Sequence, residues 1–298
     1  MKHAFVDAHH HLWNLDKLDY GWLKRIGEMK PFGDPTPIQR NYELPELKEQ
    51  DAAGLQLIKS VHLQCDPSLP DPVTETAYIS EQAQKYDHPI AIVGFADLSS
   101  ENFEETLLRH KAYSQFRGIR QIVCRTAKRP ELCFVQSDLL LNDKWQQSYA
   151  MLENHGLSFD LQLYPEQMDA AANLIKNHPN IPVAVNHAGC PFDLSDDGIL
   201  DWQLELTKLA KLDNVVLKFS GLGMYDPNWN AASAGQLFET VLDLFGEDRL
   251  MLGSNFPVDK LMRPYVDIWQ DYQSWISGLT DTAQHAICRT NAEKFYRF

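Results

Sequence analysis

Phe5-Val6-Asp7-Ala8-His9-His10-His11-Leu12-Trp13 opens the readable pattern of this chain. An apolar pair runs into an acid and three consecutive histidines. Side chains alternate along a strand, so His9 and His11 face one way and His10 the other. A short buried strand over Phe5–His9 that ends in polar groups is what a barrel strand looks like where it meets the mouth. Two imidazoles pointing into that mouth can bind a metal or a substrate oxygen, or pass protons.

The same pattern recurs downstream. Apolar segments at Leu57–Leu63, Ile90–Phe95, Gly118–Val123, Phe159–Leu163, Val183–His187, Val215–Phe219 and Leu250–Gly253 are rich in Val, Ile, Leu and Phe. Several are almost continuous, as parallel strands covered on both faces are. Helical stretches are expected between them at Pro45–Gly54, Thr74–Tyr86, Asn102–Ser114, Lys144–Gly156, Glu166–His178, Trp202–Lys211 and Ala234–Phe245. Gly54 is a good stop for the first, Ser99 or Ser100 a cap for the third, and Asn142 or Asp143 a cap for the fourth. Strand and helix alternate about eight times without a long polar linker. That predicts one domain over residues 1–298, an α/β chain folded as a (β/α)₈ TIM barrel. Residues Asn14–Asn41 break the alternation with prolines, glycines and aromatics, and are expected to lie over the barrel mouth.

Composition narrows the partners. The 298 residues are 44% hydrophobic, with a formal net charge of −14. An acidic surface repels phosphates, so neither nucleic acid nor an anionic membrane is an expected partner, whereas a small-molecule substrate is. Asp7 and the histidines interrupt the N-terminal apolar run, so no signal peptide is expected. No window approaches the ~20 apolar residues of a membrane span. Five scattered cysteines without a CxxC suit reduced thiols in a cytoplasmic protein. A homo-oligomer is compatible with all of this.

Further chemistry sits at other strand ends. Asn186-His187 closes the sixth apolar segment. Gly253-Ser254-Asn255-Phe256-Pro257-Val258-Asp259 follows the eighth. Arg120 and Lys218 are cations inside apolar strands, which is costly unless each is paired. A buried carboxylate partner is the structural explanation for either. A substrate carboxylate or hydroxyl is the functional one, and the guanidinium fork suits a carboxylate well. Arg125, Gln162 and Asp259 are further candidates for substrate contact.

In series, DAHHHLW, GIRQIV, NHAGCP, LKFSGL and RLMLGSNFP resemble the amidohydrolase-related (amidohydrolase 2) lactonase family. That family includes lactonases of fuconolactone, rhamnonolactone and pyrone dicarboxylate. The resemblance runs from about Val6 to Pro257. It implies a distorted, metal-dependent-hydrolase-like barrel with its active site at the strand C-termini. It assigns the HxH pair to His9 and His11, the later-strand histidine to His187 and the fourth-strand arginine to Arg120. It implies a hydrolase of carbohydrate catabolism that opens a small polar or anionic lactone. In that reaction His9, His11 and His187 polarise the carbonyl or move protons, Arg120 binds substrate and Asn255 positions water.

The chain departs from the family at Asn255, where an aspartate is usual. A neutral amide orients water but accepts no proton at neutral pH. The fifth segment offers Asp160 and Gln162 but no histidine. Such a donor set is poor for a divalent ion, so neither metal nor other cofactor is expected. Two alternatives share the barrel: a metal-dependent decarboxylase of an aromatic acid, and a non-catalytic descendant that binds a sugar acid.

Overall fold

The computed structural model describes residues 4–298. Eight parallel strands run in sequence order: β1 (Ala4–His10), β2 (Gln56–Leu63), β3 (Ile90–Gly94), β4 (Phe116–Arg120), β5 (Ser158–Leu161), β6 (Val183–Val185), β7 (Val215–Phe219) and β8 (Leu250–Leu252). Each matches one of the eight apolar segments of the sequence, and together they form a (β/α)₈ barrel. The last contact of the ring is short. Asn255 N–H donates to His9 O at 2.7 Å and His11 N–H to Phe256 O at 2.7 Å, beside a parallel bridge between His10 and Phe256. Asp7 strengthens this seam. Its buried carboxylate accepts from Ser254 N at 2.9 Å, Ser254 Oγ at 2.6 Å and Tyr265 Oη at 3.0 Å. The acid of the opening motif therefore joins β1 to the segment after β8.

Helices cover the outside. Asn142 caps Asp143–His155 by accepting from Trp145 N at 2.9 Å. Three sequence-based boundaries need correction. The helix before β2 spans only Leu44–Lys48, and Gly54, at φ +82°, belongs to the turn entering the strand. The cap of Phe103–Lys111 is Asn102, while Ser100 Oγ accepts from the Asn102 N–H and shapes the preceding turn. The helix expected from Trp202 begins at Asp196, because Ser195 Oγ accepts from Gly198 N and two aspartates favour the first turn.

The C-terminus adds helices that the strand pattern does not announce. Tyr265–Ile276, Asp281–His285 and Asn291–Tyr296 are helical. Ala292 and Tyr296 pack with Val6, Ala8, Val61, Leu63, Ala91 and Met251 in the barrel interior. Tyr296 Oη also reaches Asp160 at 3.0 Å. Residues Asn14–Asn41 hold a short helix, Gly21–Lys24, and a 3-10 turn, Thr36–Ile38. Trp22 and Phe32 from this segment wall the cavity at the barrel mouth, as expected. Among the described residues, no helix is long and apolar enough to cross a membrane.

Candidate active site

A cavity of about 710 Å³ opens at the C-terminal ends of the strands. His11, Arg120, Gln162, His187 and Asn255 line it, although they span most of the chain. They follow or end β1, β4, β5, β6 and β8. Trp13, Trp22, Phe32, Phe95 and Met224 supply apolar wall. The strands end here because apolar residues give way to turn-forming ones, and each of these polar side chains stands at the strand's last residue or one to three residues beyond it.

Two of these placements depend on unusual backbone. His187 and Asn255 have φ of +53° and +54°, in the left-handed region. Asparagine and histidine are both enriched there relative to other residues with a Cβ, but the region remains uncommon for either. Such conformations persist only where the surroundings enforce them. Gly221 is part of that enforcement, because a Cβ there would lie 2.2 Å from His187 Nδ1.

Arg120 is buried and ends β4. Nη2 donates to Gln64 O at 2.7 Å and Nη1 to Gln162 Oε1 at 3.4 Å, while Nε has no partner. Among the described residues, no carboxylate lies within ion-pair reach of this guanidinium. His9 is buried against the same group, with Nε2 3.5 Å from Arg120 Nη1. Its ring packs on His187 at 4.4 Å between centroids. His187 Nδ1 meets Ser220 Oγ at 3.0 Å. Burial holds His9, His11 and His187 well below the usual imidazole range, and Arg120 pushes all three the same way. At neutral pH the floor therefore carries three uncharged imidazoles and one cation.

His11 Nδ1 meets Leu63 O at 2.8 Å, and Nε2 meets Asn255 Oδ1 at 3.3 Å. Asn255 Nδ2 donates to Asp259 Oδ1 at 2.8 Å. Asp259 is buried behind Asn255 rather than on the cavity wall, and burial pushes its carboxyl up to about 7.

The remaining candidates separate clearly. Lys218 lies beneath the floor, fully buried, with Nζ 2.5 Å from Asp160 Oδ1. Burial lowers it to about 8 despite that partner. Its place is a structural ion pair, not a substrate contact. Arg125 is exposed, its Nε donates to Gln136 O at 3.4 Å, and it is not among the residues lining the cavity. Gln64 and Ser220 were not among the sequence-based candidates, yet they orient Arg120 and His187. Each is the first residue after an apolar strand.

The family described as Amidohydrolase matches residues 6–298. The chain belongs to the amidohydrolase family. The protein named y4mH from Sinorhizobium fredii is 34% identical, covering 99% of this chain and 98% of its own. An L-fucono-1,5-lactonase of Burkholderia ambifaria is 25% identical, covering 98% and 95%. The crystal structure of an amidohydrolase from Burkholderia multivorans with bound HEPES has a TM-score of 0.80 at 23% identity, with 99% of both chains covered.

This amidohydrolase has a floor that does not fit a divalent ion. The Arg120 guanidinium already faces His9 Nε2, so a second cation there would meet its repulsion. Among the described residues, the ligand nitrogens of His9, His11 and His187 do not come together as a three-ligand set, and position 255 adds only a neutral amide. Among the described residues, His62, Cys65 and Glu75 alone bring three donors of the His, Cys, Asp or Glu type close together. That group fails on tautomer. His62 Nδ1 accepts from Leu12 N–H at 3.2 Å, so Nε2 carries the ring proton, facing Glu75 Oε1 at 3.7 Å, and has no lone pair for a metal.

Proposed function

We propose that this hydrolase opens a small polar or anionic lactone, of the sugar-acid or related carboxylic-ester type, by water attack at the ring carbonyl, within cytoplasmic carbohydrate catabolism. The observation that carries the proposal is Arg120. It is a buried cation on the cavity floor with a free Nε–H and no carboxylate in reach. Burying such a group without a counter-ion costs several kcal/mol. The cost is understandable if the group answers charge that develops on bound substrate. Attack on an ester carbonyl creates an oxyanion, and preorganised donors aimed at it commonly contribute more to such catalysis than any other effect. A substrate carboxylate would engage the same fork.

The neutral imidazoles suit the proton steps. A base must be unprotonated to take the proton of water, and His11 on the cavity wall is held so by burial and by Arg120. His187 is fixed by Ser220 and supplies a second ring that can hydrogen-bond the departing alkoxide. The apolar walls exclude water around the reacting carbonyl, which strengthens each of these interactions. The name of the Burkholderia ambifaria relative, L-fucono-1,5-lactonase, supports the lactone class.

The test is a pH-indicator screen of the purified protein, with and without added zinc, against aldonolactones and dicarboxylate lactones. Zinc-independent acid release from at least one member is expected. Failure on every lactone, with zinc-dependent loss of carboxylate from a hydroxybenzoate, would replace this reading with the decarboxylase one. Binding of a sugar acid without turnover would favour a non-catalytic descendant.

A further inference from the structure

Matching donors to acceptors along one wall of the cavity leaves one proton missing. The Leu63 carbonyl can only accept, so His11 Nδ1, 2.8 Å away, carries a hydrogen. At the far end, Asp259 Oδ1 accepts from Asn255 Nδ2 at 2.8 Å. Between these fixed ends Asn255 Oδ1 faces His11 Nε2 at 3.3 Å. A neutral ring protonated on Nδ1 presents a lone pair at Nε2, so two acceptors face one another. One added proton repairs the chain in either of two ways. Placed on His11 Nε2, it donates to Asn255 Oδ1 while Asp259 stays ionised. Placed on Asp259, it donates to an Asn255 amide that has turned over, whose Nδ2 then donates to His11 Nε2. Both arrangements satisfy every polar atom in the chain.

We propose that Asp259, Asn255 and His11 act as a single proton acceptor, in which Asp259 is a positioning residue that stores charge for the His11 base, and the Asn255 amide turns over as the proton changes ends. This deepens the lactonase reading and rests on it only for the source of the proton. One O–H bond of water breaks as its oxygen bonds to the carbonyl carbon, and the proton passes to His11 Nε2. When the ring C–O bond breaks, a proton returns from the chain to the alkoxide oxygen, so only water is consumed. The carboxylate absent from position 255 is thereby present one amide further back.

The surroundings set when the chain is empty. His11 is faced by Arg120, His62, His9, His10, His187 and the Cys65 thiol. Asp259 is faced by Asn255, the Gly223 N–H and Tyr272. Burial and Arg120 disfavour charge on His11, and burial disfavours it on Asp259. The resting proton therefore sits on Asp259 and leaves as pH rises through about 7. Below that point the chain is full and His11 has no free lone pair. Above it the base is available.

The experiment combines infrared, stability and rate measurements. In the wild-type protein, a protonated-carboxyl band should disappear with a midpoint near neutrality between about pH 5 and about pH 9. Asp259→Asn should abolish that component and leave the one from Asp7, which burial raises to about 6. Asn255→Leu removes the donor that lowers Asp259, so the midpoint should move up. A buried acid with a raised folded value binds more protons folded than unfolded, so its contribution to stability falls as pH rises from about 4 to about 7. Asp259→Asn should therefore match the wild-type Tm at about pH 5 and exceed it at about pH 8. On a lactone substrate, the same variant should lower the plateau rate about 10- to 100-fold and move the acidic limb down in pH. If Asp259→Asn does not fold, the wild-type and Asn255→Leu spectra decide. A wild-type band that vanishes below about pH 5, or a midpoint unmoved by Asn255→Leu, overturns the proton chain. If no lactone is opened, the infrared and stability results still decide the chain, and the lactonase reading alone falls.

Discussion

Replacing Arg120 with methionine should lower activity steeply and leave stability almost unchanged. Loss of a single oxyanion donor typically costs about 10² to 10³ in rate, or ~2.7 to 4 kcal/mol. Arg120 is charged and buried, so the loss in kcat/KM should lie near the upper end, about 10³. Stability is set by a different balance. Burying the guanidinium costs several kcal/mol. Two charge-assisted hydrogen bonds, to Gln64 O at 2.7 Å and Gln162 Oε1 at 3.4 Å, offset part of that cost. Such bonds contribute about 1.5 to 3 kcal/mol each, the longer one least. Methionine removes the charge, keeps most of the apolar stem and leaves the Gln64 carbonyl short of a donor, at about 1 kcal/mol. The two sides nearly cancel, so the variant should lie within about 1 kcal/mol of the wild type, or roughly 2 °C in Tm for a domain of this size. Ring-opening kinetics on the lactone found by screening, alongside calorimetry, measure both. A rate loss under about tenfold, or a Tm lowered by more than ~5 °C, would show that Arg120 supports structure rather than the oxyanion.

The other predictions concern charge near the same floor. Asn255→Asp places a second carboxyl 2.8 Å from Asp259 Oδ1, and two carboxylates that close retain one proton between them. The acidic limb of the pH–rate profile should therefore move up by about one unit or more, with the plateau lowered because the added carboxyl partly cancels the Arg120 potential at the oxyanion. Lys218→Met leaves Asp160 ionised in the barrel with only Tyr296 Oη and Asn186 Nδ2 to answer it, which should cost about 3 to 5 kcal/mol. A Tm fall of roughly 6 to 10 °C, largely reversed by adding Asp160→Asn, would be read by calorimetry. Purified protein should carry well under about 0.1 zinc per chain, and chelation should leave lactone opening unchanged, as elemental analysis and treated-enzyme assays will show.

The contrast between Arg120 and Lys218 shows where sequence reading stops. Both are cations inside apolar strands, and each is as costly to bury as the other. Their fates differ because of β5. Asp160 and Gln162 are two residues apart and face the same way, but at different heights along the barrel axis. Asp160 is low enough to meet Lys218 at 2.5 Å. Gln162 is high enough to meet Arg120 at 3.4 Å. Stagger between strands that are far apart in the chain fixes those heights, and one chain's residue pattern does not display it. The eight strands were legible because buried parallel strands are apolar throughout. The mouth histidines were legible because polarity begins where the strands end. Arg125 misled for the complementary reason: beyond Val123 the chain is loop, and nothing in its spacing says which way the side chain turns. Asp7 shows no role in the sequence because its partner, Ser254, lies 247 residues away.

The charge pattern explains why position 255 is an amide here. The chain carries a net −14, and Glu28, Asp66 and Glu131 also line the cavity, yet Arg120 is the one charged group among His11, Arg120, Gln162, His187 and Asn255. Surface charges beyond a Debye length of ~8 Å act weakly on this buried floor. Its potential is therefore set by Arg120 and by whatever stands within a few ångströms. An aspartate at 255 would stand beside His11 and partly cancel that positive potential, at the expense of the oxyanion. Asp259 sits behind the Asn255 amide, hydrogen-bonded to its Nδ2 and off the cavity wall. Its charge falls on the far side of a polarisable dipole whose oxygen still faces His11. On this arrangement the floor remains positive toward substrate while a carboxylate remains available to the base. A site tuned to an anionic ligand gains more from that separation than one acting on a neutral lactone, so anionic members of the substrate panel should be turned over best, and their advantage should disappear in Arg120→Met.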